Sequence, residues 1–373
     1  MLKKRILSFL GAAALTAALT FAVVSLSPSN GFTSGSMQEG MSYEVCGVSP
    51  DAIVASLDGN GASADLITYW IGYNASYLNS YMQYYGGGAL DWDYVMSDGT
   101  AMPDYIKQDV LATVKQELLI ENLAKKYGVT LTDEQRAAIE SDEQGFIEQY
   151  GGEEGFDAEL AKLGLRRETY ERITSANYLY QDLYKLYLTE GSALYASNED
   201  LAAYAVAQGY ITADHILLTT VDTATGEALS DEAIAEKKAL AEELAEKLKN
   251  YTGDDLASYF AELADEYSED PGRASNPSGY TFTTGSMVQE FEDAAYALDE
   301  GAVSDIVESR FGYHILLRLP LDKTAAAETV REDYFSNFID EQMDKAKTAT
   351  SAEYDKLDAK ALYEAIVAAQ AEG

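Results

Sequence analysis

Apolar positions recur at helical spacing through much of the chain, and turn residues divide them into elements. From Met102 to Tyr127, Leu111, Val114, Leu118 and Leu119 mark one apolar face, with Pro103 suited to the first turn and Gly128 to the end. Thr132-Asp133-Glu134-Gln135 has the form of a capping box that opens a second helix, which Gly151-Gly152 breaks. A tyrosine-rich helix is predicted from about Arg167 to Leu188, a short one after Ser197-Asn198-Glu199-Asp200, and a helical tail from Ala325 to Ala371. Tyr69, Tyr73, Tyr77, Tyr81 and Tyr85 recur every four residues, so their rings share one helix face. Such a stripe either packs as a helix face or stands as an aromatic surface for unfolded chains.

A period of two replaces the helical period in a few short runs. Ile53 to Gly61 reads as strand, tight turn and return. Asp58-Gly59-Asn60 lacks the later ligands of a calcium loop and is read as a plain turn. Two further runs are Ala213-Asp214-His215-Ile216-Leu217-Leu218 and Gly312-Tyr313-His314-Ile315-Leu316-Leu317. They carry the chain's two histidines on what are predicted to be neighbouring strands. Between them lie predicted helices at about 231–249 and 254–267, a strand near Tyr280–Thr283, a helix carrying Phe291 to Leu298, and a strand through Val307.

At 373 residues the chain is long enough for two or three domains, and its 28 tyrosines and 11 phenylalanines supply core material that argues against disorder. A net charge of −37 argues against nucleic acid and favours neutral or basic polypeptide partners, besides providing a solubilising surface. Met1-Leu2-Lys3-Lys4-Arg5 followed by an apolar run from Ile6 to Leu26 reads as an export signal over residues 1–27, either cleaved or kept as a membrane anchor through 6–26. Residues 28–44, rich in Ser, Gly and Met, read as a flexible spacer. Cys46 is alone, which excludes an internal disulfide. It stands about twenty residues beyond the apolar run, too far for lipid attachment, and is assigned no role.

The two histidine segments, Tyr267-Ser268-Glu269-Asp270, Gly285-Ser286-Met287, the helix through Phe291 and Gly301-Ala302-Val303-Ser304 follow one another in a set order and spacing. Over about Tyr210 to Leu321 that order resembles parvulin-type (PpiC) peptidyl-prolyl isomerases. The surrounding helices, down to Lys-Lys-Tyr-Gly-Val-Thr-Leu-Thr at 125–132, resemble more loosely the SurA and PrsA chaperone families. The resemblance implies an α+β fold. A mostly helical SurA/PrsA-like chaperone domain at 45–205 would be completed by a C-terminal helical tail, 323–373, packing back on it. Inserted between them would be a parvulin domain at 208–322, a four-stranded antiparallel sheet with helices.

Isomerisation of an Xaa-Pro amide must overcome a barrier of about 18–20 kcal/mol between states that differ by only ~0.5–1 kcal/mol. No bond is made or broken, so neither metal nor cofactor is required. A catalyst has to fit the twisted amide better than either planar one. By the resemblance, Met287 and Phe291, read as four apart on one helix face, form the proline pocket, and Phe282 adds a wall. Counting back from Met287 puts Gly279 where the family has a leucine lining the cup, and Tyr280 is the candidate to fill that gap. His215, His314, Asp270 and Ser309 match the family's polar network, here read as a floor beneath the amide that disfavours negative charge on its carbonyl oxygen. The loop Val221–Ser230 has no Lys or Arg, which argues against phosphorylated substrates.

The expected function is a prolyl isomerase that assists folding of unfolded or nascent exported polypeptides, secreted or anchored on the outer face of the cytoplasmic membrane. The alternative is a non-catalytic holdase that uses the parvulin-like module only to bind extended chains. A hydrolase finds no Ser-His or metal-ligand constellation beyond the two histidines already assigned.

Overall fold

The structure is a computed structural model, and it describes residues 31–85, 87–222 and 225–371. The described residues form two compact units. One runs to Ala193 and includes the residues from Phe338 onward; the other is Leu194–Asn337.

In the first unit, helix α1 (Met41–Cys46) precedes strands β1 (Ile53–Leu57) and β2 (Asn60–Ser63). Asp58 and Gly59 join the strands with φ of 48° and 85°, the positive values that let a two-residue turn connect right-twisted strands. Four long or middling helices follow after α2 (Ala64–Tyr84): α3 (Met102–Tyr127), α4 (Asp133–Gln149), α5 (Glu153–Lys162) and α6 (Arg167–Leu188). Their ends follow local chemistry. Gly128 closes α3 at φ 70°, and Thr132 with Gln135 forms a reciprocal capping box on α4. Ile106, Val110, Val114, Leu118 and Leu123 of α3 are buried, which places the core on the face the sequence marked. The tyrosine stripe is split along its length. Tyr69 and Tyr73 are half-buried, whereas Tyr77, Tyr81, Tyr84 and Tyr85 are exposed.

One expectation changes here. The segment read as a flexible spacer carries α1, and before it Ser36 and Met37 donate their amides to the Asp51 carboxylate, while Ile53 N–H donates to Thr33. Side chains of the following loop capture this stretch, which composition alone does not reveal. The apolar run at 6–26 lies outside the described residues; among those described, no helix is long and apolar enough to cross a membrane.

The second unit opens with α7 (Asn198–Ala207), followed by β3 (Ile211–Thr219), α8 (Asp231–Lys249), α9 (Leu256–Tyr267), β4 (Tyr280–Phe282), α10 (Gln289–Ala297), β5 (Val307–Ser309) and β6 (Gly312–Leu319). The four strands make one antiparallel sheet in the order β4-β3-β6-β5. Every residue of β3 is buried, as a central strand covered on both faces should be. One face, with Ile216, Leu218, Tyr313, Ile315 and Leu317, packs on α8 and α9. The other, with Ile211, Ala213 and Leu316, packs with Phe282 and with Phe291 and Ala295 of α10.

Helix α11 (Lys323–Lys345) leaves this sheet, and the chain joins the first unit only from Phe338. The tail is not helical throughout. Strand β7 (Thr348–Thr350) pairs antiparallel with β1, giving a sheet β2-β1-β7, before α12 (Ala352–Lys356) and α13 (Ala359–Ala371). Three residues are too few to show a period of two, so the strand is stabilised by its partner rather than announced by its sequence. Helix α13 lies close on α2; a Cβ on Gly72 would stand 2.4 Å from Ile366 Cδ1.

Candidate active site

The register of β3 on β6 pairs His215 with Leu316 and Leu217 with His314. All four therefore point to the α10 face of the sheet. The two imidazoles meet there with ring centroids 5.4 Å apart, and Phe291 stands edge-on to both, 5.1 Å from His215 and 5.7 Å from His314.

Asp270 reaches this face because the segment after α9 is laced along the free edge of β3. Leu217 N–H donates to Ser268 Oγ at 3.1 Å, and Glu269 N–H returns a bond to the Leu217 carbonyl at 2.7 Å. The Glu269 carboxylate accepts from the Thr219 amide and hydroxyl. Beyond Asp270, Arg273 donates to Asp214 at 2.6 Å and to Asp265 at 2.9 Å, an ion-pair cluster held on the opposite face of β3. Asp270 is thus carried on a loop tied down before and after it.

Its Oδ2 lies 3.2 Å from His215 Nε2, a close contact that does not meet hydrogen-bond geometry. The Tyr280 hydroxyl donates to the same oxygen at 2.5 Å and the Gly272 amide to Oδ1 at 3.1 Å. Burial opposes ionisation, but His215, Tyr280 and the Gly272 amide together hold the Asp270 carboxyl well below the usual carboxylate range. Burial and this carboxylate push the Tyr280 phenol well above the usual tyrosine value. His314 Nε2 shares a 2.7 Å hydrogen bond with Ser309 Oγ, which also accepts from Phe311 N–H. Burial, and to a smaller extent His215, lowers the His314 pKa to about 4, so its ring is neutral at pH 7. Neither ring nitrogen of His215 nor Nδ1 of His314 has a hydrogen bond among the described residues.

The apolar side of the site consists of Met287, Phe282 and Phe291, with the Phe282 and Phe291 rings 5.6 Å apart. Met287 and Phe291 do not share a helix, contrary to the reading of their spacing. Helix α10 begins at Gln289, and the Glu292 carboxylate accepts the amides of Gly285 and Met287. Those bonds hold the preceding residues as a capping turn. Met287 still packs in the same apolar cluster as Phe291. All eight expected residues therefore belong to one face of one sheet. The expected list omitted Arg273, Asp214 and Gly272, although Asp214 stands next to His215 in the sequence and is the one clear pointer to a buried partner.

The arrangement offers an apolar cup beside a floor of two imidazoles, a carboxylate and a hydroxyl. Residues 215–319 match the family model described as Rotamase, PPIC-type PPIASE domain. This stretch is a parvulin-type peptidyl-prolyl isomerase domain. Individual relatives are similar over differing lengths. The chain is 38% identical over 120 residues to "Foldase protein PrsA" of Geobacillus sp. (strain WCH70), an alignment covering 32% of this chain and 43% of that protein. It is 28% identical over 248 residues to "Foldase protein PrsA" of Staphylococcus aureus (strain bovine RF122 / ET3-1), covering 65% and 68%. It is 35% identical over 113 residues to "Chaperone SurA" of Chromohalobacter salexigens, covering 29% and 25%. The chain thus spans less than half the length of the first and last of these three relatives.

Proposed function

We propose that the protein is a peptidyl-prolyl cis-trans isomerase that assists folding of exported polypeptides outside the cytoplasmic membrane. The observation that carries this is the convergence of His215, His314, Asp270 and Ser309 beside the cup of Met287, Phe282 and Phe291. Its chemistry suits an amide that must lose resonance. The cup takes the proline ring in a place that offers the planar amide no hydrogen bond. The Asp270 carboxylate disfavours negative charge on the carbonyl oxygen, so the C–N bond keeps its single-bond character while it turns. Neutral His314 and Ser309 support the His215 ring, and no bond is broken. The substrates are Xaa-Pro segments of unfolded chains, neutral or basic given the −37 charge.

The remainder of the chain supports a second activity of the same kind, the holding of unfolded polypeptides. Residues 45–205 with the tail of 323–373 form the holding part, and 208–322 the isomerase. The exposed Tyr77, Tyr81, Tyr84 and Tyr85 favour it, since rings give contact area at little rotamer cost. The signal or anchor at 1–27 places both parts outside the cytoplasm. Exchange of cis and trans forms of an unphosphorylated Xaa-Pro peptide, followed by NMR with and without the chain, tests the main reading. Catalysed exchange is expected; its absence at high protein concentration would leave only the holdase.

A further inference from the structure

Gly279 stands where the resembled family has a leucine, and the departure has a structural counterpart. Gly279 takes a φ of 87°, and a Cβ there would lie 2.8 Å from the Ala213 carbonyl oxygen, so this backbone admits glycine and no side chain. Tyr280, the next residue, brings its side chain back over the site. Its ring stands 5.5 Å from that of His215, and its hydroxyl bonds to Asp270 Oδ2. Residue 272 leaves room for that hydroxyl by being glycine; a Cβ on Gly272 would stand 2.1 Å from Tyr280 Oη. The Gly272 amide meanwhile holds the other carboxylate oxygen.

We infer that Tyr280 is a positioning residue of the isomerase site, fixing the Asp270 carboxylate against His215. The inference rests on the isomerase reading above. Asp270 sits on a loop, and an aspartate with one donor can still rotate about its side-chain bonds. A phenol donating to an ionised oxygen forms a charge-assisted bond, about twice as strong as a neutral one. With the amide on Oδ1 and the phenol on Oδ2, the carboxylate plane is set and Oδ2 faces the imidazole. The same bond opposes protonation of Asp270, so the carboxylate keeps accepting as the solution is acidified. The groups facing Asp270 are His215 from β3, Tyr280 from β4, the Gly272 amide of its own loop and, one ring further, His314 from β6. Asp214 and Arg273 are paired with each other on the far face of β3.

The test uses the full chain in detergent. Exchange of an unphosphorylated Xaa-Pro peptide is followed by NMR across pH, and the Asp270 side-chain carboxyl is titrated by carbon NMR. Tyr280→Phe keeps the ring and removes the hydroxyl. It is expected to lower kcat/KM about tenfold, mainly through kcat, and to move the acid limb of the rate profile and the Asp270 titration to higher pH together. Gly272→Ala drives the hydroxyl off the carboxylate and is expected to produce the same changes. Adding it to Tyr280→Phe is expected to lower the rate no further, because no hydroxyl remains to displace. A tyrosine with a merely structural role would lower the rate evenly at every pH, and the two losses would multiply. Either result, or an unchanged Tyr280→Phe protein, overturns the inference. A wild-type chain without catalysis would instead overturn the isomerase reading on which it rests.

Discussion

Each unit buries a polar cluster, and the two clusters differ in how completely they are closed. In the helical unit Asp65 is fully buried at the start of α2. Its carboxylate takes Arg166 at 2.9 Å, the Thr169 hydroxyl at 2.5 Å and the Leu66 amide at 3.0 Å. Nearby, Arg172 of α6 bridges Glu121 and the Gly61 carbonyl, and Asn60 joins the same group. These groups answer one another and leave little capacity for anything else. In the sheet unit the imidazoles of His215 and His314 retain ring nitrogens with no hydrogen bond among the described residues, and they open onto an apolar cup. Burying polar capacity without partners costs about 1–3 kcal/mol per group, so it persists where something else uses it. The closed cluster has the form of architecture; the open one is where we propose the site.

Breaking the closed cluster should have the largest effect. Asp65→Ala leaves Arg166 and Thr169 without their buried acceptor and is expected to lower stability by about 3 kcal/mol, read from urea midpoints. A loss under about 0.5 kcal/mol would mean that the cluster is not structural after all.

The two units should next differ in their response to pH. Burial, with the Glu121 carboxylate adding to it, raises the Glu117 carboxyl of α3 to about 8. The folded state then binds more protons than the unfolded one between about 4.5 and 8, so this group makes stability fall as pH rises through that window. His314 has the opposite sign. Its folded pKa of about 4 lies below the ordinary histidine value of 6.5, so its contribution is present above pH 6.5 and lost as pH falls toward 4. For His314 the effect is worth roughly 3 kcal/mol at full extent. Urea midpoints between pH 4 and 9 should lose a decline between about pH 4.5 and 8 in Glu117→Gln and part of their acid decline in His314→Phe. Unchanged profiles in both variants would remove the electrostatic side of the comparison.

A smaller effect is expected at the open cluster itself. Asp270→Asn keeps the shape but not the charge, and should lower kcat/KM for an Xaa-Pro peptide about tenfold, about 1.4 kcal/mol. A large stability loss with an unchanged rate would reclassify Asp270 as architecture. Smallest in stability is the exposed end of the tyrosine stripe. Tyr81→Ser with Tyr85→Ser should alter unfolding by less than about 0.5 kcal/mol each, yet reduce suppression of aggregation of a basic unfolded protein. If suppression is unaffected, the rings are surface without a client.

Much of this was legible in the residues because it is local. The caps at Thr132 and Ser197, the glycines at 128 and 151–152, and Pro103 set helix ends through neighbours within four positions. Likewise, two histidines in like strand patterns, with Asp270, Ser309 and Phe291 at family spacing, sufficed to name residues that the fold does bring together and to expect the four-stranded sheet. Tertiary structure decided what depends on a distant partner. Thr348–Thr350 became a strand because β1 offered an edge, and Ser36 and Met37 were ordered by Asp51. Met287 was drawn out of the helix by the Glu292 carboxylate, and Tyr280 turned onto Asp270 because Gly272 left room for its hydroxyl. A capping or turn preference is a property of adjacent residues and survives in the sequence; a hydrogen bond across the fold exists only once the chain has brought its two ends together.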